Sequence, residues 1–148
     1  MKKKIPIDLH SEDIAFELAH QAIVLPWIVQ SISHEGFACK RLRYVFCSDA
    51  YLHGLNVLHL DHDTYTDIIT FDYTEKEKIC GEMFISIDRV RENATELQVP
   101  FLHELCRVMI HGVLHLCQYQ DHSDEAEAEM RQKEDFYLHT IKHLWSNI

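Results

Sequence analysis

Two histidines stand four residues apart in Ile110-His111-Gly112-Val113-Leu114-His115-Leu116. On an α-helix, positions i and i+4 stack on one face, about 6 Å apart along the axis. That spacing lets two imidazoles grip one metal ion. Asp121 follows His115 by six residues, and His122 comes directly after it. A third ligand could therefore arrive from just beyond the helix end. Six residues is about 1.7 turns, so an unbroken helix would carry Asp121 off the histidine face. For Asp121 to reach the ion, the chain must leave the helix near Cys117 or Gln118 and turn back, sending His122 the other way. The bland account is a pair of unrelated histidines on one helix, and the Asp-His pair downstream argues against it. A second His/Asp group, His59-Leu60-Asp61-His62-Asp63-Thr64-Tyr65, reads as a solvated polar loop in preference to a second metal site.

The element carrying the histidines is strongly apolar. Pro100 suits the first turn of a helix that continues to about Cys117. Phe101, Leu102, Leu105, Val108, Met109, Val113 and Leu116 cover more than half its circumference, so it is embedded, and its imidazoles need partners. Around it, Lys3 to Asp8 reads as a first strand, and Pro26 as the first residue of a helix running to about His34 and ended by Gly36. Leu42 to Cys47 reads as a strand apolar on both faces, and Ala50 to Leu58 as a short helix. Asp67–Tyr73 and Ile79–Ile87 make an antiparallel pair around a charged turn. Asp88 to Leu97 is a helix with an acidic start. Ser123-Asp124-Glu125-Ala126 opens a last helix reaching about Leu144. The pair of Asp67–Tyr73 and Ile79–Ile87 is expected to form the antiparallel part of a mixed sheet.

The chain of 148 residues is the size of one domain, residues 1–148, with 47% apolar residues, and no run approaches a membrane span. Met1-Lys2-Lys3-Lys4 is basic, but Ile5-Pro6-Ile7-Asp8 breaks any signal-like core, so no secretory signal is expected. The five cysteines, without a CxxC, suit reduced thiols in a cytoplasm. A formal net charge of -10 argues against non-specific nucleic-acid coating. Phosphate contacts would need local clusters, and the candidates are Lys40, Arg41 and Arg43 with Arg89 and Arg91, which are otherwise simply a solvated face.

The stretch His111-Gly112-Val113-Leu114-His115-Leu116-Cys117-Gln118-Tyr119-Gln120-Asp121-His122 resembles the HGxLHLxGYDH signature of the bacterial YbeY-type rRNA maturation factors. Leu55-Asn56 with Thr66-Asp67-Ile68-Ile69-Thr70-Phe71 is similar to that family's LN…TxVLSF segment. Gly81-Glu82-Met83-Phe84-Ile85-Ser86 is similar to its GDIxIS strand. The resemblance implies a small α+β domain, with a mixed, mostly four-stranded sheet flanked by helices and a central metal-binding helix. Three departures stand out. The family's third metal histidine falls on Asp121, the signature glycine before it falls on Gln118, and an arginine four residues after the LN asparagine is here Leu60.

The function implied is single-strand-specific, metal-dependent endoribonuclease activity in rRNA maturation and ribosome quality control, in the cytoplasm. One Zn²⁺ ion would be held by His111, His115 and Asp121, with an open position for water and polarisation of the phosphoryl oxygen. His111 and His115 would carry the catalytic site, Glu104 could orient a ligand from behind, and His122 could move a proton. The implied partners are rRNA or its precursor and the ribosomal subunit or its proteins, with no membrane and no DNA. Two other readings remain. The metal could be structural in a non-catalytic ribosome-assembly factor. The chain could also be a zinc metalloprotease, although Gly112 stands where such proteases carry their glutamate base.

Overall fold

The computed structural model describes residues 4–60 and 65–146. Strand β2 (Ala38–Cys47) turns Leu42, Tyr44 and Phe46 to one face and Val45 and Cys47 to the other, and all five are buried. A strand covered on both faces belongs inside a sheet. Its neighbours β1 (Ile7–Ser11) and β4 (Lys78–Ser86) both run parallel to it. β3 (Ile68–Asp72) pairs antiparallel with β4, giving the order β1-β2-β4-β3. The result is the expected α+β class, with a mixed four-stranded sheet in which β3 is an edge.

Helices cover both faces. Against one lie α1 (Gln21–His34), α3 (Ile87–Leu97), α4 (Phe101–Leu116) and α5 (Asp124–His139), sharing the main core with Tyr44, Phe46, Met83 and Ile85. Against the other lies α2 (Asp49–Leu60), packing Leu52 with Cys47 and Ile69 in a smaller cluster. α4 approaches the sheet closely at Gly112. A Cβ there would overlap Met83 Sδ and meet Ile68 Cδ1 at 3.0 Å, so any side chain would have to displace these two buried neighbours. The buried Tyr44 hydroxyl donates to the Met109 carbonyl at 3.0 Å, joining sheet to helix. The five cysteines are free. Among the described residues no helix is long and apolar enough to cross a membrane.

Several boundaries differ from the sequence expectations. β1 begins at Ile7, because its ladder starts only after Pro6, whose carbonyl accepts from Leu42 N at 2.9 Å. Lys3 lies outside the described residues. α1 starts at Gln21, five residues before Pro26, because Val24 joins Trp27, Ile28, Ser31 and Ile32 on one buried stripe. Pro26 is thus inside the helix and not its first residue, where it removes one N–H from the ladder. β2 begins at Ala38, its exposed residues still pairing with β4 across a bulge between Cys39 and Arg41. α5 stops at His139, where Thr140 Oγ1 donates to the Tyr137 carbonyl at 2.7 Å, and a 3-10 turn follows at Lys142–Leu144. His59 and Leu60 belong to α2, not to a loop, and Asp61, His62, Asp63 and Thr64 lie outside the described residues.

Candidate metal centre

His111 and His115 share one face of α4, and their Nε2 atoms lie 3.0 Å apart. The chain leaves the helix after Leu116. Gln118 N donates to the His115 carbonyl and Tyr119 N to the Leu114 carbonyl, each at 3.0 Å. This is a Schellman ending, whose pivotal residue takes a left-handed backbone and is usually glycine. Here it is Gln118, at φ 82°. The family signature's glycine falls on this residue, and the geometry supplies its reason. The turn returns Asp121 Oδ2 to 3.3 Å from His115 Nε2 and 3.6 Å from His111 Nε2. The ligand atoms of His111, His115 and Asp121 lie within 4.8 Å of one another. His122 points away, its side chain 84% exposed.

Each imidazole is held from behind. His111 Nδ1 donates to Glu134 Oε2 at 2.6 Å, and His115 Nδ1 donates to the Tyr119 carbonyl at 3.0 Å. Both acceptors lack a proton to give, so Nδ1 carries the hydrogen and Nε2 keeps its lone pair. Glu134 belongs to a buried ion network. Arg107 donates to it at 3.2 Å and to Glu104 through Nε at 2.7 Å and a second nitrogen at 2.5 Å. Arg107 also stands 3.7 Å from Asp67. Glu104 is fully buried and Glu134 is 1% exposed. Burial works to raise the Glu134 carboxyl, but the His111 hydrogen bond and the Arg107 charge outweigh it and hold it below the usual range. Burial raises Asp67, and the charge of Arg107 only partly offsets that.

The residue behind His111 is therefore Glu134, not Glu104, which instead holds Arg107. A sequence signal for it exists. Glu134 falls on the buried stripe of α5 with Met130, Tyr137 and Leu138, an acid on an otherwise apolar face.

The three donors face a cleft of ≈ 600 Å³ whose other wall runs from Thr66 and Asp67 into β3 as far as Thr70, with Asp72 and Asn56. His122 lies on its rim. Among the described residues neither lysine nor arginine lines this cleft. The basic clusters expected to meet phosphate are engaged elsewhere. Arg89 pairs with Asp49 at 2.8 Å, Arg41 with Asp8 at 3.3 Å and Arg43 with Glu82 at 3.5 Å. Arg91 lies over the Phe101 ring, and Lys40 is absent from the cleft lining. Leu60, in the position of the family arginine, is the last residue of α2.

Fold and site together define a class: an α+β chain whose central helix and following turn gather two imidazoles and a carboxylate beside an open cleft. The family model described as Endoribonuclease YbeY matches residues 7–142. The chain is 48% identical over 123 residues to a Flavobacterium psychrophilum protein named Endoribonuclease YbeY, covering 83% of this chain and 88% of that one. It is also 48% identical over 128 residues to one of that name from Amoebophilus asiaticus, covering 86% and 87%. The solution structure of TM1509 from Thermotoga maritima superposes with a TM-score of 0.66 at 27% identity, over 89% of this chain and 86% of that one. The chain belongs to the YbeY endoribonuclease family.

Proposed function

We propose that the chain is a metal-dependent endoribonuclease of rRNA maturation and ribosome quality control, cutting single-stranded segments with one Zn²⁺ held by His111, His115 and Asp121. The observation that carries this reading is the convergence of three donors, both imidazoles locked through Nδ1, onto an open cleft. The donor set suits zinc, which takes imidazole nitrogen and carboxylate oxygen together. A divalent ion in this position supplies Lewis acidity, polarising a phosphoryl oxygen and lowering the pKa of water.

The chain's own residues do the rest. Asp121 offsets part of the positive charge, so the site is less electrophilic than three neutral histidines would make it. Glu134 and the Tyr119 carbonyl keep the two rings in the ligating tautomer and orientation. His122, exposed on the rim, is the candidate for proton exchange in this reading. Family membership supports rRNA or its precursor as substrate and the ribosomal subunit or its proteins as partner, in the cytoplasm, with neither DNA nor membrane involved.

A structural zinc in a non-catalytic assembly factor is a weaker reading. Structural sites are closed by four protein ligands, and among the described residues no fourth histidine, cysteine or carboxylate joins these three. Peptide hydrolysis is weaker still, because Gly112 offers no base.

The test combines native mass spectrometry for zinc with cleavage of rRNA fragments and of casein. Asp121→Ala should lower zinc affinity by more than about 100-fold, beyond the 10–100-fold range of outer partners, and abolish RNA cleavage. His122→Ala should keep its zinc. Zinc retained by Asp121→Ala but lost from His122→Ala would overturn the ligand assignment. EDTA-sensitive cleavage of casein with RNA left intact would overturn the activity.

A further inference from the structure

The cleft wall opposite the histidines is unusual for a surface that meets RNA. Thr66, Asp67, Ile68, Ile69 and Thr70 line it consecutively. Of these, Ile68, Ile69 and Thr70 belong to β3, and since successive strand residues point to opposite faces, they can line one cleft together only by presenting the backbone edge. β3 is the outermost strand of the sheet, and a sheet edge offers a row of N–H and C=O groups. The side chains that accompany this edge include the carboxylates of Asp67 and Asp72, and the cations nearest to it are already committed, Arg107 to Glu104, Glu134 and Asp67 and Arg89 to Asp49. A phosphate backbone laid along this wall would find no uncommitted cation to neutralise it. Base edges, with their amine donors, would find acceptors.

An exposed tyrosine stands just before Thr66 and another just after Asp72. Tyr65 is 56% exposed and Tyr73 59% exposed. Roughly 26 Å of extended chain separates them at 3.3 Å per residue. The Tyr65 ring is fixed in place. It stacks on His53 with centroids 4.1 Å apart and planes at 11°, and the Arg89 guanidinium sits 5.5 Å from its centroid. Arg89 is itself anchored on Asp49. A large aromatic braced in this way while half its surface remains in solvent is a ready stacking surface.

We propose that the β3 edge is a base-binding track for single-stranded RNA. Unpaired bases stack on Tyr65 and Tyr73 at the two ends of the edge, which leaves the phosphates between them to face the His111–His115–Asp121 corner. This rests on the endoribonuclease reading and adds the means by which substrate is held. It also supplies a reason for single-strand preference, since a base must be out of the duplex to stack on a side chain. Affinity drawn from stacking carries little counterion release, so binding responds to salt less than it would for a phosphate-binding groove.

The experiment is an anisotropy titration of the zinc-loaded protein with a labelled single-stranded oligoribonucleotide, and with the same oligomer carrying abasic positions, at two salt concentrations. Cleavage of RNA and of casein is followed in parallel. Tyr65→Ala and Tyr73→Ala should each weaken binding at least about fivefold, with the salt slope and zinc content of the parent. Tyr65→Phe and Tyr73→Phe should bind like the parent, and the abasic oligomer should bind weakly to every form. The proposal falls, while the endoribonuclease reading stands, if the parent binds and cuts RNA but the alanine variants bind equally well. It falls in the same way if the abasic oligomer binds as tightly as the intact one. If the parent neither binds nor cuts RNA, both fall together, and if it cuts casein instead, the edge serves an added peptide strand.

Discussion

His111 and His115 present the same ring atom to the same point, yet they are held by different kinds of partner. His111 leans on Glu134, a side chain 23 residues away on another helix, buried with Arg107 and Glu104 in a network of full charges. His115 leans on the Tyr119 carbonyl, four residues away in the turn that ends its own helix. The first support depends on tertiary packing and on charge balance in a low-dielectric interior, where removing one member exposes the others. The second is a backbone group that no side-chain substitution deletes. Two halves of one site therefore have unequal vulnerability to mutation.

The largest expected break in that symmetry is Glu134→Ala. It strips acceptors from Arg107 and from His111 at once. We expect a loss of about 3–5 kcal/mol of stability and about 10–100-fold in zinc affinity. Denaturant melts and competition with a chromophoric chelator measure the two separately, and a variant with parental zinc affinity would show that the carboxylate does not orient the ring.

Tyr119→Phe makes the complementary case. The Tyr119 hydroxyl donates to Glu35 at 2.7 Å, and Tyr137 and Lys133 engage the same carboxylate. Removing the hydroxyl should cost about 1 kcal/mol and leave zinc affinity unchanged, because the carbonyl that holds His115 remains. Burial works to raise Glu35, but the hydrogen bonds from Tyr137 and Tyr119, with Lys133, hold it below the ordinary range. A carboxylate depressed on folding stabilises the fold above its unfolded pKa and loses that contribution as pH falls through its folded value. The gap between parent and variant should therefore be full at neutral pH and shrink in acid. A gap that widens on acidification would contradict this assignment.

The smallest effect belongs to the turn itself. Gln118 occupies a left-handed position that costs a side-chain-bearing residue about 1–2 kcal/mol. Glycine removes that cost but loses more freedom on folding. Gln118→Gly should raise stability by no more than about 1 kcal/mol and keep the zinc. A clear loss of stability would mean that the glutamine side chain makes a compensating contact.

The same contrast explains what could be read from the sequence. The His115 side of the site was legible, because i and i+4 spacing, the helix end and the return of Asp121 are local geometry. The sheet was legible too, since Leu42, Tyr44 and Phe46 alternate with Val45 and Cys47. Glu134 was legible only faintly, as the acid in register with Met130, Tyr137 and Leu138 on a helix whose apolar stripe is loose and whose acids are many, and Glu104 was the nearer candidate on the same helix face as His111. The strand-sized errors have local causes. Pro26 masked the first turn of α1, and the exposed Lys40 and Arg41 disguised the start of β2. The basic clusters were read as potential phosphate contacts because sequence does not reveal that Asp49, Asp8 and Glu82 already occupy Arg89, Arg41 and Arg43.

The tight seat of Gly112 over Met83 and Ile68 has a consequence for laboratory evolution. The neighbouring position on an HxxxH helix is where a protease carries its base, and a single codon change supplies glutamate in many scaffolds. Here even a methyl group would strike the sulfur beneath it. A selection for peptidase activity would have to retreat the sheet first, by shrinking Met83 and Ile68, before it could test the catalytic change. The barrier between two hydrolytic trades is thus a matter of ångströms between layers, set in the core and not in the site.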